Sequence, residues 1–131
     1  DDYSIDIHET INFIKRCQVS EEIVTAINDL VRSTRPGNQL CPDKYEEKIL
    51  YGAGPRAGIG LISVAKAYAF ITGENNVRWE HVVKFAKPVL RHRIKIHSYK
   101  DNEEHSMDSV IDYLIELVEE KYANLAKGLY R

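Results

Sequence analysis

Residues 51–71 read YGAGPRAGIGLISVAKAYAFI, from Tyr51 to Ile71. From Ala57 to Ile71 only Ser63 and Lys66 are plainly polar. A helix apolar on almost every side is expected to be a buried, central one. Gly58 and Gly60 each lower helix propensity by roughly 1 kcal/mol, so close approach of another backbone is the expected compensation. Gly73 ends the helix as its C′ residue. Upstream, Gly52 and Gly54 give a close-approach turn, and Pro55 suits the first helical position, where its missing N–H is no loss. Arg56 then falls in the first turn, at the positive end of the helix, a place that by itself prefers acids. Free backbone N–H groups beside a guanidinium make an anion site suited to phosphate. The residues alone leave a second reading open, in which Arg56 pairs with an acid of the Glu46-Glu47 loop.

The periodicity on both sides of this stretch is helical. Ile7, Ile11 and Ile14 mark one face of a leading segment from about Ile5 to Gln18. Ser20 is a good N-cap, with Glu21 and Glu22 behind it, and Ile23, Ile27, Leu30 and Val31 form the next stripe. That helix should stop before Pro36-Gly37. Residues 36–54 read as a loop with one turn of helix around Lys44–Leu50. A short helix is expected from Trp79 to Ala86, interrupted by Pro88 and resumed at Val89-Leu90. Ser106 caps a last helix, about Met107 to Leu129, through Val110, Leu114, Leu117, Val118 and Leu125.

The 131 residues are 44% apolar and 29% charged, enough for one ordinary domain with its own core. Eighteen Lys+Arg against 20 Asp+Glu leave −2, so no strong global field selects nucleic acid or an anionic membrane. No apolar run approaches the ~18 residues of a membrane span. Cys17 and Cys41 could make at most one bridge, which fits a reducing cytoplasm. The sequence starts at Asp1 without a Met or a signal peptide, so it is expected to be processed or cut from something longer. The charge is unevenly spread: residues 81–100 hold six Lys/Arg and no acid, and residues 101–120 hold eight Asp/Glu and no Lys/Arg. This is either a basic strip beside a solvated acidic helix or a partner surface.

Chemistry-bearing motifs are few. GxxxxGK[ST], GxGxxG, HExxH and CxxC are all absent. His92, His97 and His105 lie too far apart, with no Cys near them, for a metal site. Nothing orients Cys17 with a His as a nucleophile pair. Nucleic-acid binding by the strip is disfavoured, because Tyr99 is the only aromatic among its basic residues from Lys87 onward and stacking platforms are scarce.

The order Val31-Arg32-Ser33-Thr34-Arg35, Gly52-Ala53-Gly54-Pro55-Arg56-Ala57, Ala65-Lys66-Ala67-Tyr68-Ala69, Gly73 through Val77 to Val82, and Val89-Leu90-Arg91-His92-Arg93-Ile94 resembles the C-terminal helical lid of MoxR-family AAA+ ATPases. The resemblance covers about Val19 to Ile96. It implies an all-α bundle of about five helices around the central one, residues 1–131 forming a single lid domain. Residues 1–18 would be a leading helix, 19–96 the lid core, and 97–131 a loop and C-terminal helix. In such proteins the GASPRA-type motif supplies the sensor-2 arginine, which reaches nucleotide phosphates bound in a P-loop core. That role would fall on Arg56, with Gly52, Ala53, Gly54 and Pro55 shaping the cofactor-binding turn. Gly54 stands where the family usually has Ser, which removes a hydroxyl cap. The family's Val-Thr-Pro-Glu-Asp-Val is here Val77-Arg78-Trp79-Glu80-His81-Val82, so that helix start is expected to be less secure. Arg91-His92-Arg93 matches an HR motif, read either as a lid–core or subunit contact or as a structural His; Arg35 matches an Arg ending the first lid helix.

The resemblance further implies ATP and Mg2+ in a full-length parent and a P-loop AAA+ core in the same chain. It also implies a homo-oligomeric ring and chaperone-like work, in metal insertion or complex assembly, with von Willebrand factor A-domain partners. The 131 residues by themselves, without a P-loop, are expected not to hydrolyse ATP. The alternative is a stand-alone helical interaction module using the basic strip and the acidic helix.

Overall fold

The computed structural model describes residues 18–97, 106–123 and 125. Helix α1 spans Glu21–Ser33. The Ser20 side chain accepts from the Ile23 N–H at 3.2 Å, satisfying one of the free donors of the first turn. Glu21 and Glu22 follow at the positive end. Helix α2 spans Pro55–Ile71 and closes as expected at Gly73, whose φ is +76°. The Gly73 N–H bonds the Phe70 carbonyl and the Glu74 N–H the Ala69 carbonyl, the paired bonds of a Schellman cap. Helix α3 spans Trp79–Arg91 and helix α4 Met107–Lys121, the latter capped by Ser106, which accepts from the Ser109 N–H. Residues 1–17 of the leading helix expected over 1–18 lie outside the described residues, and Gln18 is bridged to Asn76 rather than helical, so four helices are described.

The four helices close into a ring: α2 packs on α1 and α3, and α4 packs on α3 and α1. Ile23, Ile27 and Leu30 of α1, Leu61 of α2, Val82 and Leu90 of α3, and Val110, Ile111 and Leu114 of α4 meet inside without solvent contact. The C-terminal helix therefore belongs to the bundle. It ends at Lys121 rather than near Leu129, with Leu125 buried just beyond it.

Several local expectations are corrected. The loop carries a 3-10 turn at Asp43–Tyr45, not a helical turn across Lys44–Leu50. Ile49–Tyr51 form a strand, β1, paired antiparallel with β2, Lys95–Ile96. Tyr45 is buried edge-on to Tyr113 of α4, with ring centroids 5.5 Å apart, and Ile49 is buried opposite Ile96. Pro88 does not interrupt α3, which runs through it to Arg91. Pro88 is exposed, and the buried Ala86 and Leu90 on either side hold the helix against the loss of one backbone bond. Finally, α2 is central but not buried all round. Its buried stripe is Ala57, Gly58, Leu61, Ala65 and Ala69, while Ile59 is 65% and Ile71 77% exposed. Gly58 and Gly60 do not mark backbone contacts. A Cβ on Gly58 would meet Ile27 and Val31 side chains at an ordinary 3.7 Å, and one on Gly60 would meet nothing within 4 Å.

One polar cluster joins α1 to the end of α4. The buried Asp29 carboxylate accepts from Lys121 Nζ at 2.8 Å and from the Tyr122 hydroxyl at 2.7 Å. Donation to Asp29, then burial, raises the Tyr122 pKa above the ordinary phenol value. Burial raises Tyr45 likewise, with Tyr113 adding to it. Burial, then Glu46 and Asp43, raises the free thiol of Cys41. All three acids hold their protons more tightly folded than unfolded. Their contribution to stability is complete below the unfolded values, about 8.5 for a thiol and 10 for a phenol, and is lost as pH rises through the raised ones. The urea midpoint is accordingly expected to fall steadily above about pH 9, and Tyr122→Phe to make that fall shallower. A midpoint unchanged between pH 8 and pH 11 would contradict this.

Candidate functional site

The turn that delivers Arg56 is fixed by its contact with the end of α1. A Cβ on Gly52 would fall on the carbonyl of Thr34, so only glycine fits there. The next residue, Ala53, is buried, and its N–H donates to Thr34 Oγ1 at 2.9 Å. The Thr34 hydroxyl in turn donates to the Val31 carbonyl at 2.6 Å. Gly54 is the N-cap of α2 in an extended conformation with no side-chain cap, and Pro55 occupies N1. The missing Ser hydroxyl thus leaves the helix start uncapped, while Thr34 supplies the rigidity that residue 54 does not.

Arg56 is exposed in the first turn of α2, which contains no acid. Among the described residues its guanidinium has no hydrogen-bond or ion-pair partner. Glu46, an acid offered for it by the sequence, instead accepts from the Gly37 N–H at 2.9 Å and holds that positive-φ turn. An exposed, unpaired guanidinium at the positive end of a helix is a donor set that fits a phosphate oxyanion. Of the three histidines weighed as metal ligands, His105 lies outside the described residues; among the described ones no three His, Cys, Asp or Glu gather in metal-binding proximity.

The start of α3 is better secured than the lost Thr suggests. His81 is 2% exposed. Its Nδ1 accepts from the Arg78 backbone N–H at 3.0 Å, and its Nε2 lies 2.6 Å from Glu74. His81 therefore does at N3 what a Glu or Gln does in a capping box. Glu74 and Glu80 also flank the Arg78 guanidinium. The spacing from Arg78 to His81 is the signal that could have revealed this.

Part of the charge asymmetry is internal. Arg91 donates through Nε and Nη2 to Asp108, at 3.1 and 2.8 Å, and Lys87 pairs with Asp112 at 2.9 Å. The basic strip and the acidic helix face each other across the α3–α4 contact. In the Arg91-His92-Arg93 stretch, Arg91 is thus a tie within the domain, and His92 is exposed at the helix end.

A family model described as an AAA lid domain matches residues 45–112, and the chain belongs to that family. Chaperone MoxR1 of Mycobacterium tuberculosis (strain ATCC 25618 / H37Rv) is 29% identical over 100 residues, which cover 76% of this chain and 26% of that protein. The crystal structure of a "putative ATPase" from Cytophaga hutchinsonii ATCC 33406 is similar with a TM-score of 0.72 and 32% identity, over 80% of this chain and 32% of that one. The motif order from Val31 to Ile94 and these two likenesses agree on a lid fragment of the MoxR-family AAA+ type. The chain spans about a quarter to a third of the length of these relatives.

Proposed function

We propose that the 131 residues are one lid domain of a parent AAA+ ATPase and that Arg56 is its sensor-2 arginine. Residues 19–96 would be the lid core, 1–18 a leading helix, and 97–131 a loop and C-terminal helix. The observation that carries this reading is the Arg56 guanidinium: exposed, free of any protein partner among the described residues, and held at the start of α2 by a turn locked to α1. A magnesium-bound ATP in the P-loop core of the parent supplies the anhydride chemistry. Arg56 binds its terminal phosphate from the lid side. The first turn of α2 adds the field of its N-terminus, and Gly52–Pro55 hold both in place. The lid does no covalent chemistry. It closes while a terminal phosphate is within reach of Arg56 and is released when that anion leaves, so its position reports the nucleotide state.

Further readings rest on the resemblance to MoxR-family AAA+ ATPases, and the name Chaperone MoxR1 supports only the chaperone-like one. They are chaperone-like assembly or metal-insertion work in the cytoplasm, a homo-oligomeric ring, and von Willebrand factor A-domain partners. No described helix is long and apolar enough to cross a membrane.

The test is Arg56→Ala in the full-length polypeptide. Turnover of ATP is expected to fall about a hundredfold, roughly 2.7 kcal/mol of transition-state stabilisation. The unfolding midpoint should not move, because Arg56 is exposed and touches no partner. Wild-type turnover would remove the sensor role.

A further inference from the structure

We infer that Thr34 is a positioning residue for the anion site: it acts through the Gly52–Pro55 turn to hold Arg56 in its working orientation. This rests on the sensor reading of Arg56 and goes beyond it. Thr34 lies at the end of α1, distant in sequence from Arg56, and is entirely buried. A hydroxyl has one proton. Here that proton is committed to the Val31 carbonyl at 2.6 Å, which leaves the oxygen lone pairs to accept from the Ala53 N–H at 2.9 Å. The direction of both bonds is thereby fixed. The Thr34 carbonyl, meanwhile, fills the place where a side chain on Gly52 would stand. Two consecutive residues of the turn are therefore held by the C-cap residue of α1, one by hydrogen bond and one by backbone contact. Gly54 has no side chain to brace the helix start, and Pro55 has no N–H to give. Thr34 is thus the polar anchor that sets where α2 begins, and so where the Arg56 guanidinium emerges. Valine at this position would keep the shape and lose the acceptor, leaving the Ala53 N–H buried without a partner.

The experiment is a double-mutant cycle on ATP turnover by the full-length polypeptide with Mg2+, combining Thr34→Val with Arg56→Ala. Thr34→Val alone is expected to slow turnover about tenfold, the order of loss that a small misplacement of a charge-stabilising group produces. Thr34→Ser, which keeps the hydroxyl, should recover most of it. In the Arg56→Ala background, Thr34→Val should change turnover by less than about twofold, because no guanidinium remains to be placed. Amide exchange in a peptide covering Gly52–Ala57 should speed up in Thr34→Val and not in Thr34→Ser. If the valine variant does not fold, Thr34→Ala, which adds no branch in place of the hydroxyl, carries the same cycle. Equal losses in both backgrounds would mean a purely structural role and would overturn the inference, as would wild-type turnover by Thr34→Val. A silent Arg56→Ala overturns the sensor reading and this inference with it. An Arg56→Ala defect beside a silent Thr34→Val overturns this inference alone.

Discussion

Gly52→Ala is expected to destabilise the protein by more than the roughly 1–3 kcal/mol of ordinary overpacking. Its methyl would fall on the Thr34 carbonyl, with the carbonyl carbon and Oγ1 also inside 3.0 Å. Two of these three atoms are backbone, so no rotamer change relieves the overlap. Relief requires the Tyr51–Gly54 turn to part from the end of α1. That movement breaks the bond from the Ala53 N–H to Thr34 and strands a buried donor, a loss of about 1–3 kcal/mol in its own right. The measurement is the urea midpoint with the slope held against wild type, together with ATP turnover by the full-length polypeptide. On the sensor role proposed for Arg56, turnover should fall as well, since the same turn carries that residue. Gly60→Ala is the control. Nothing lies within 4 Å of its Cβ position, and in a helix interior the change should stabilise by up to about 1 kcal/mol. A Gly52→Ala midpoint equal to wild type would mean that the turn does not rest on α1.

What could be read from the amino acids alone was local. Ser20, Gly73 and Ser106 announce helix ends because a cap is chosen by the few residues around it, and the structure has all three where expected. The Gly-Pro-Arg start of α2 was legible for the same reason. The strand pair was not: Ile49–Tyr51 is only three residues long and finds its partner far along the chain at Lys95–Ile96. Pro88 misled because a proline penalty is local, whereas the burial of Ala86 and Leu90 that outweighs it is tertiary. The apolar surface of α2 also overstated its burial. Three alanines, Gly58 and Leu61 take up the contact side, leaving Ile59 and Ile71 outside. At the candidate site, the placement of Arg56 in the first turn of α2 was legible from the Gly-Pro-Arg order. Thr34, which fixes the turn, was not, because a threonine at a helix end carries no sign of the distant amide it serves. The charge blocks, read as a strip and a neighbouring face, meet in two pairs, Lys87–Asp112 and Arg91–Asp108; such exposed pairs contribute at most about 1 kcal/mol each.

Leu61→Ala is expected to cost about 3–5 kcal/mol, the upper part of the range for a buried leucine. Leu61 has no solvent contact and is the one member of the buried stripe of α2 larger than alanine. On its own helix its neighbours in that stripe are Ala57, Gly58, Ala65 and Ala69, which already let α1 and α3 lie close. These small side chains set the helix spacing, so the flanking helices cannot close further on the hole left at residue 61. The lost transfer free energy and the unfilled cavity should therefore both register in full. Ile59→Ala, on the same helix but 65% exposed, removes as many carbons and should shift stability by no more than about 0.5 kcal/mol. Urea unfolding of the two variants side by side makes the comparison, with an unchanged slope confirming that the loss is one of stability. Similar losses at the two positions would mean that the core does not run through Leu61. A large loss at Leu61 alone would show that α2 is held in the bundle through its buried stripe, at a side chain within two turns of Arg56. A helix held that firmly would carry a displacement of its first turn into α1 and α3, which pack on it.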